Sequence, residues 1–444
     1  MSRSSDGLEG CWDSGLLTVN DSKIMTVQKL VSIWVLVSIS AGVRADPAEA
    51  TSPSMIQRLI REAVRSHPLM AAASARAEGA IAGVGVVRLW DDPQLGIGGM
   101  AAERMMREQR GDIVVGIAQK LPRQRLYEAE KRHAEAGAKS LESMRREVAN
   151  ELGLSVAQAL LELALADELI RLQEEDLGWL DTIVNLAQQR AKDVNGSAAE
   201  SLRLESERAV REQVLASLRR QRGQYALTLN LMLGRVPESP WHRLSLAPES
   251  EEPAAVGALR DRLVRHNPQL DSLRKRLEGA TAGADVAHEM KRPMFSVGVD
   301  TRSYSGGAFR ETMVSLKMSL PWLNRSYYSA QIEVAEKSKQ AAASDLAAQQ
   351  IALYTTLSAH LTDQENNRQL VKAYAKEVLP KSVKTVETLQ NAWVSSAASL
   401  LDVLEARRSL LMAWQTQMRA VAAQNSASYA LAALVDGLIE SPKN

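Results

Sequence analysis

The stretch VRSHPLMAAASARAEGAIAG, residues 64–83, recurs two hundred residues later as VRHNPQLDSLRKRLEGATAG, residues 264–283, without a gap. Beyond it, Pro93 and Pro293 keep the same offset, and the Leu-Pro pairs at 121–122 and 320–321 miss it by one residue. A repeat of this length and spacing predicts two copies of one architectural unit, far larger than a solenoid repeat.

The composition favours long helices over compact globular cores. Aromatic residues make up only 4% of the 444 residues, and Ala, Leu, Glu, Arg and Gln are abundant. The 54 basic residues are balanced by 53 acidic ones. Because nucleic-acid binding needs an uncompensated basic surface, we expect no nucleic-acid partner.

Residues 1–45 are predicted to be an upstream segment followed by a secretory signal. From Met25 the chain has a basic Lys29, an apolar run over residues 30–39, and small residues at Val43 and Ala45. The alternative is a short membrane anchor that is never cleaved. The single cysteine, Cys11, lies upstream of the predicted cleavage point, so the mature chain is expected to form no disulfide. No run of 18 apolar residues follows residue 45, which argues against a transmembrane helix.

Each copy is predicted to contain an opening helix, a pair of strands, a very long helix, a tight break and a closing helix. The first copy spans 46–240, the linker 241–256 and the second copy 257–444. The predicted helices of copy one cover residues 55–88, 126–191 and 198–233. Those of copy two cover residues 328–393, interrupted only by Pro380, and 400–435. Apolar residues in steps of three and four form one stripe along the long helix. The expected fold class is mainly α with a small β part, with long antiparallel helices arranged as a cylinder.

The strand pairs, at 94–121 and 294–320, alternate between apolar and polar residues, less clearly over 94–100, and their polar connecting segments, 102–111 and 302–310, are predicted to be loops. In the second pair Phe295, Val297 and Val299 oppose Ser296, Gly298 and Asp300. Strands of about nine residues can cross a bilayer when tilted, and the alternation is typical of a membrane barrel with a polar lumen. Four strands cannot close such a barrel, so insertion would require three chains and twelve strands. Lys120, Asp300 and Lys317 are then candidate lumen-facing residues. The alternative is a pair of ordinary hairpins packed on the helices.

Taken together, these features resemble the TolC-like outer-membrane efflux channels over nearly all of residues 55–437. The resemblance rests on His67-Pro68-Leu69, on Asp92-Pro93-Gln94-Leu95, on Leu121-Pro122, and most strongly on the segment SLLDVLEAR at 399–407. It implies a trimer in which a twelve-stranded β-barrel continues into a periplasmic α-barrel.

The strand region is also similar to the heavy-metal cation efflux branch of that family, the CzcC-like channels. Asp92-Pro93-Gln94-Leu95 and the segment VGIAQ at 115–119 carry this finer similarity. The chain departs from the branch after Leu121-Pro122, where Arg123-Gln124-Arg125 replaces the usual glycine-lysine pair.

Asp402 and Glu405 are the candidate gate. Three residues apart, they share one face at the start of the last helix. The resemblance places the matching acidic pair at the periplasmic entrance, where three chains would present six carboxylates. Such a ring would attract cations and raise the pKa of its own carboxyl groups. The alternative is that Asp402 only stabilises the helix N-terminus while Glu405 pairs with Arg407 or Arg408. Copy one has Leu202 and Glu205 at the corresponding positions.

No enzyme, cofactor or metal site is predicted. There is no phosphate-binding glycine loop and no nucleophile elbow. The six histidines show no i,i+4 pairing. The Met105-Met106 pair is interpreted as packing rather than as a soft-metal site.

The leading functional prediction is a passive outer-membrane duct in a tripartite efflux system. Its expected partners are two further copies of the chain, a periplasmic adaptor (membrane fusion) protein, an inner-membrane RND-type pump and outer-membrane lipid. Its expected cargo, under the finer resemblance, is heavy-metal cations. The rival prediction is a soluble exported coiled-coil scaffold or adaptor whose hairpins are merely caps.

Overall fold

The computed structural model describes residues 49–100, 112–191, 198–248, 255–304, 307–435 and 437–438. The predicted signal segment, the Met105-Met106 pair and the break at 193–197 lie outside these described residues.

The opening helix of copy one is divided in two at His67. Helix α1 spans Pro53–Ser66 and α2 spans Pro68–Val84. A residue before proline is driven out of the α region, and His67 is extended, with φ −76° and ψ 131°. Its Nδ1 accepts a hydrogen bond from the Leu69 amide at 3.2 Å, so the residue that ends α1 also caps α2. The prediction of one helix over 55–88 was therefore wrong at its centre and at its end.

Copy two has the same interruption at the equivalent residue. Helix α5, Val256–His266, is followed by α6, Pro268–Met290, with the extended Asn267 between them. The Asn267 Oδ1 accepts from the Leu270 amide at 3.1 Å. The break is thus a property of the repeat, set in each copy by a proline and a capping side chain.

The long helices follow the predicted lengths. Helix α3 runs over Gln124–Ala191, 68 residues, and α4 over Ala198–Met232. At 1.5 Å per residue α3 extends about 100 Å. In copy two, α7 spans Arg325–Ala373, α8 spans Leu379–Val394 and α9 spans Leu400–Val435. Helix α3 packs against α2, α4, α6 and α9, which makes it the central contact of the helical part.

Pro380 does not break the second long helix. A five-residue π-helical turn, Tyr374–Val378, joins α7 to α8 just before it. Proline lacks the amide hydrogen and its ring crowds the carbonyl four residues earlier, so a helix that passes through it needs a local change of pitch. The helix therefore continues through the predicted interruption, with one widened turn.

Two small sheets accompany the helices. Strands β2 (Gln94–Met100), β3 (Asp112–Lys120), β5 (Phe295–Tyr304) and β6 (Phe309–Met318) form an antiparallel sheet in the order β2-β3-β5-β6. The hairpins of the two copies meet where β3 pairs with β5. Separately, β1 (Glu49–Ala50) pairs in parallel with β4 (Leu244–Ser245), which ties the chain before α1 to the segment after α4.

The second hairpin is longer than predicted, because residues expected to form its loop belong to its strands. β5 continues to Tyr304 and β6 begins at Phe309, and a register shift at Arg302/Ser303 marks a bulge. An ion pair between Arg302 and Glu311, at 3.1 Å, extends the ladder. The polarity of residues 302–310 predicted a loop, but a strand with one polar face also carries polar residues.

The buried apolar residues form separate clusters along the helices. One cluster joins the end of α3 and the start of α4 to α8 and α9, through Ile183, Leu204, Trp393, Val403 and Leu404. A second surrounds α1 and includes Ile60, Leu160 and Leu229. A third joins α5, α6, α7 and the end of α9. The first cluster fixes the helix ends that carry the candidate gate.

Candidate functional site

The break between α8 and α9 is built by local hydrogen bonds. Ser396 adopts a left-handed conformation, φ 63°, and the Ala397 amide donates back to the Ala392 carbonyl at 2.7 Å. These contacts end α8, as a left-handed residue commonly does at a helix C-terminus.

Ser399 and Asp402 then form a reciprocal cap at the start of α9. The Asp402 amide donates to Ser399 Oγ at 3.2 Å. In return the Asp402 carboxylate accepts from the Ser399 amide at 3.0 Å and from its hydroxyl at 2.7 Å. This is a capping box, with aspartate in the place usually taken by glutamate. Asp402 therefore stabilises the helix N-terminus, as the alternative interpretation holds.

The same hydrogen bonds from the Ser399 side chain and backbone hold the pKa of the Asp402 carboxyl below its ordinary value. The gate hypothesis expected like charges to raise it. Within one chain the capping hydrogen bonds decide the direction of the pKa shift of Asp402. A ring of like charges around it would require further chains.

Glu405 lies one turn after Asp402, and both side chains are exposed while Val403 and Leu404 between them are buried. The structure thus places the two carboxylates on one uncovered face of α9. Arg407 and Arg408, the partners proposed for Glu405 by the alternative, donate instead to acidic residues on other helices.

A buried ion-pair network lies directly behind this face. Asp176 on α3 is only 1% exposed, and its two oxygens accept from Arg407 on α9 and from Arg211 on α4, each at 2.7 Å. Glu207 on α4 bridges Arg211 and Arg408. The Arg407 guanidinium also lies over the ring of Trp179, 4.8 Å from its centroid.

Sequence reasoning missed this network. Three of its contacts join residues far apart in the chain: Asp176 with Arg211, Asp176 with Arg407, and Glu207 with Arg408. No spacing rule predicts such pairs, since helical periodicity relates only residues within a turn or two. The one local signal was Glu207 four residues before Arg211, which alone suggests an ordinary surface pair.

One face of the four-stranded sheet carries mainly polar and small side chains. Lys120 and Lys317 both lie opposite Ser296 in the register, and Asp300 is on the same face. The structure therefore brings the three predicted lumen residues together on one side. Lys120 is paired with Asp91 at 3.0 Å. Asp300 rests against Gly116, where a Cβ atom would lie 1.9 Å from its carboxylate.

The opposite face of the sheet is apolar and uncovered. Leu95, Ile117, Val299 and Val314 are neighbours across the four strands. Val314 is 72% exposed and Leu95 68% exposed. Such a row of large apolar side chains is unusual for a surface in water and marks an interaction surface.

Among the residues that the structure describes, no cluster of three or more histidine, cysteine, aspartate or glutamate side chains could hold a metal ion. None of the helices in the described ranges is long and apolar enough to cross a membrane.

Comparison with known proteins agrees with this geometry. Residues 259–437 match the family model described as "OEP: Outer membrane efflux protein". No curated protein sequence matches the chain. Among solved structures, the outer-membrane channel OprN superposes with a TM-score of 0.74 at 17% identity, covering 86% of this chain and 90% of the other. This chain has the fold of the outer-membrane efflux channels.

Two further structures with the efflux-channel fold support this assignment. The outer membrane protein VceC from Vibrio cholerae matches with a TM-score of 0.74 at 17% identity, covering 86% and 96% of the two chains. CusC, whose structures concern transmembrane channel formation, matches with 0.77 at 18% identity, covering 86% and 92%. The family model matches only the second copy, whereas the structural likeness extends over both. The predicted fold class is confirmed, and so is the resemblance at the level of the efflux-channel fold.

Proposed function

We propose that the chain is the outer-membrane channel component of a tripartite efflux system and conducts substrates passively to the exterior. The observation that carries the proposal is the four-stranded sheet, with an exposed apolar face and an opposite face holding Lys120, Asp300 and Lys317. An apolar face toward lipid and a polar face toward water are what a membrane barrel requires.

Three chains are needed to complete this barrel. In one chain β2 and β6 are the edges of the sheet, and unpaired edge strands offer hydrogen-bonding groups to another chain. Pairing of β6 with β2 of the next copy would give twelve strands in a closed ring. Each structural repeat, 46–240 and 257–444, would contribute one hairpin, with 241–256 as the linker and 1–45 removed on export.

The helices would then extend into the periplasm and meet the other components. We propose a periplasmic adaptor protein and an inner-membrane RND-type pump as partners, with the pump supplying the energy. Heavy-metal cations are the proposed cargo, on the similarity of the strand region to that branch of channels. Growth of a deletion strain on a panel of metal salts and drugs tests the cargo, and unchanged metal tolerance would contradict it.

Asp402 and Glu405 are proposed as the entrance ring. Both are exposed on one face of α9, in its first turns after the break that separates α8 from α9. Six carboxylates in a trimer would concentrate cations at the constriction. Capping by Asp402 and a role in the ring are compatible, because a capping carboxylate keeps its charge.

The main experiment is extraction and mass measurement of the chain. A channel should fractionate with the outer membrane, need detergent for release and have the mass of three chains. A soluble monomer or dimer in the periplasm would support the scaffold instead. For the entrance ring, Asp402→Asn with Glu405→Gln should reduce the cation preference of single channels in planar bilayers. An unchanged conductance and cation preference would contradict the entrance ring without contradicting the channel.

A further inference from the structure

The same two side chains begin the long helix of each copy. Arg125 and Tyr127 lie in the first turn of α3, and Arg325 and Tyr327 lie in the first turn of α7, at the repeat's offset of two hundred. Both arginines are exposed, and Tyr327 is 57% exposed. The chain around them differs, since the turn after Leu121-Pro122 is one residue shorter than its counterpart.

These two arginines stand against the helix dipole. The N-terminal turn of a helix carries partial positive charge and favours acids, so a cation there opposes it. Nearby cations are neutralised, Lys120 by Asp91 and Arg132 by Asp285. Within the described ranges neither Arg125 nor Arg325 has an ion pair of this kind, and Glu128, the acid nearest Arg125 on its helix, accepts from Gln124. The guanidinium groups are therefore available to an anion outside the chain.

The surroundings of the arginines indicate which anion. Strands β2 and β5 begin, and strands β3 and β6 end, at the edge of the sheet that leads into α3 and α7. Trp90, shortly before β2, is 53% exposed, and Trp322, in the 3₁₀ turn after β6, is 55% exposed. Trp and Tyr side chains concentrate where a bilayer's hydrocarbon meets its headgroups. The apolar face of the sheet begins directly above.

We infer that Arg125, Arg325 and Trp322 form a basic-aromatic collar that binds anionic phospholipid headgroups of the periplasmic leaflet. The collar would fix how deep the channel sits, because each arginine can hold a phosphate while the Trp322 ring, three residues before Arg325, lies at the headgroup level. This inference rests on the proposed function. It adds a lipid class and the residues that select it.

The test measures lipid selectivity of the assembled trimer. Purified channel is reconstituted in phosphatidylcholine membranes with spin-labelled phosphatidylglycerol or spin-labelled phosphatidylcholine. The fraction of motionally restricted lipid gives the relative association constant. Phosphatidylglycerol should be preferred, and the preference should fall by up to about fivefold for each arginine removed in Arg125→Gln with Arg325→Gln. Arg125→Lys with Arg325→Lys should retain most of it, since the attraction is mainly of charge.

The matched control is Arg203→Gln with Arg220→Gln, which removes two exposed arginines from α4, a helix that packs mainly against α3. This variant should keep the selectivity. If the Arg125/Arg325 variant fails to assemble, a salt titration of the native trimer decides, because headgroup attraction must weaken with ionic strength. Equal association of both lipids in the native trimer, or a preference insensitive to salt, overturns the collar. A chain that forms no membrane trimer overturns the proposed function instead.

Discussion

At the scale of single residues, Asp176 is a buried carboxylate held by two guanidinium groups. Its carboxylate is almost completely buried and is neutralised by Arg211 and Arg407 from two other helices. A buried charge that loses a partner destabilises a fold far more than an exposed pair does, since water cannot replace the lost partner. The network therefore locks α9 to α3 and α4 beside the candidate entrance.

Arg407→Ala should accordingly destabilise the channel by about 3–5 kcal/mol, because Asp176 is left with one guanidinium and Trp179 loses its cation contact. The neighbouring Arg408→Ala is the control. Its side chain is 52% exposed, so its loss should cost about 1 kcal/mol or less. Thermal unfolding followed by circular dichroism compares the two. Equal melting temperatures for both variants would contradict the buried role of Arg407.

The second residue-scale prediction concerns acid. The pKa of Asp402 is lowered by its hydrogen bonds to Ser399, so the carboxylate stays charged as the pH falls below the ordinary value of 3.8. A depressed pKa gives stability that is present above the unfolded value and lost as the pH falls through the folded value. Removal of the Ser399 hydroxyl should raise the pKa toward its ordinary value.

In Ser399→Ala, cation preference should therefore disappear at a higher pH than in the native channel. The pH at which cation preference is lost is measured from reversal potentials in planar bilayers. The measurements cover roughly pH 3 to pH 6, the range in which carboxyl groups ordinarily titrate. Ser395→Ala is the control, because the Ser395 hydroxyl donates to backbone carbonyls at 391 and 392 and does not contact Asp402. Superimposable pH profiles for the native channel and Ser399→Ala would exclude Asp402 as the titrating group.

At the scale of elements, the sheet depends on glycine where strands carry a bulky polar neighbour. A Cβ atom at Gly116 in β3 would lie 1.9 Å from the Asp300 carboxylate and 3.3 Å from the Val299 carbonyl oxygen. Gly98, on the same face of β2, has nothing within 4 Å of its Cβ position. Asp300 can therefore lie flat across the sheet only because position 116 has no side chain.

Gly116→Val should destabilise the sheet by about 1–3 kcal/mol through overpacking and lower the yield of membrane-inserted trimer severalfold. Gly98→Val should be close to neutral. The yields are compared by quantifying trimer in the outer-membrane fraction on native gels. If Asp300→Ala restores the Gly116→Val variant, the clash with Asp300 is the cause. A full yield for Gly116→Val alone would show that Asp300 simply moves aside.

At the scale of the whole molecule, the proposal requires that the two faces of the sheet meet different solvents. Val314 is 72% exposed on the apolar face, and Ser315, the next residue of β6, lies on the opposite face. An arginine facing lipid near the bilayer midplane costs about 2–4 kcal/mol, whereas a lumen position tolerates charge.

Val314→Arg should therefore block insertion or lower the unfolding free energy of the trimer by about that amount, while Ser315→Arg should insert and alter ion selectivity. Membrane fractionation and single-channel conductance read out the two effects. The pair differs by one position in the chain, so size and charge are matched. Equal insertion of both variants would contradict a lipid-facing apolar surface.

Much of the architecture could be predicted from local patterns. The two-hundred-residue repeat, the proline-free run that becomes α3 and the alternation in the strands each act over short range, and the structure contains the corresponding elements. Some errors were avoidable. Ser399 three residues before Asp402 is a capping-box signal, and His67-Pro68 and Asn267-Pro268 both signal a helix end. The extended second hairpin was missed because polar strand residues were interpreted as loop.

The repeat, the helix lengths, the two-faced strands and the acidic face at the start of α9 follow from the order of the residues alone. Which charges are buried and which strands are neighbours depends on tertiary packing. Asp176 meets Arg407, and β3 joins β5, through contacts between segments far apart in the chain. Propensity and periodicity act within a few residues, whereas such pairings are fixed by how whole helices and hairpins pack against one another.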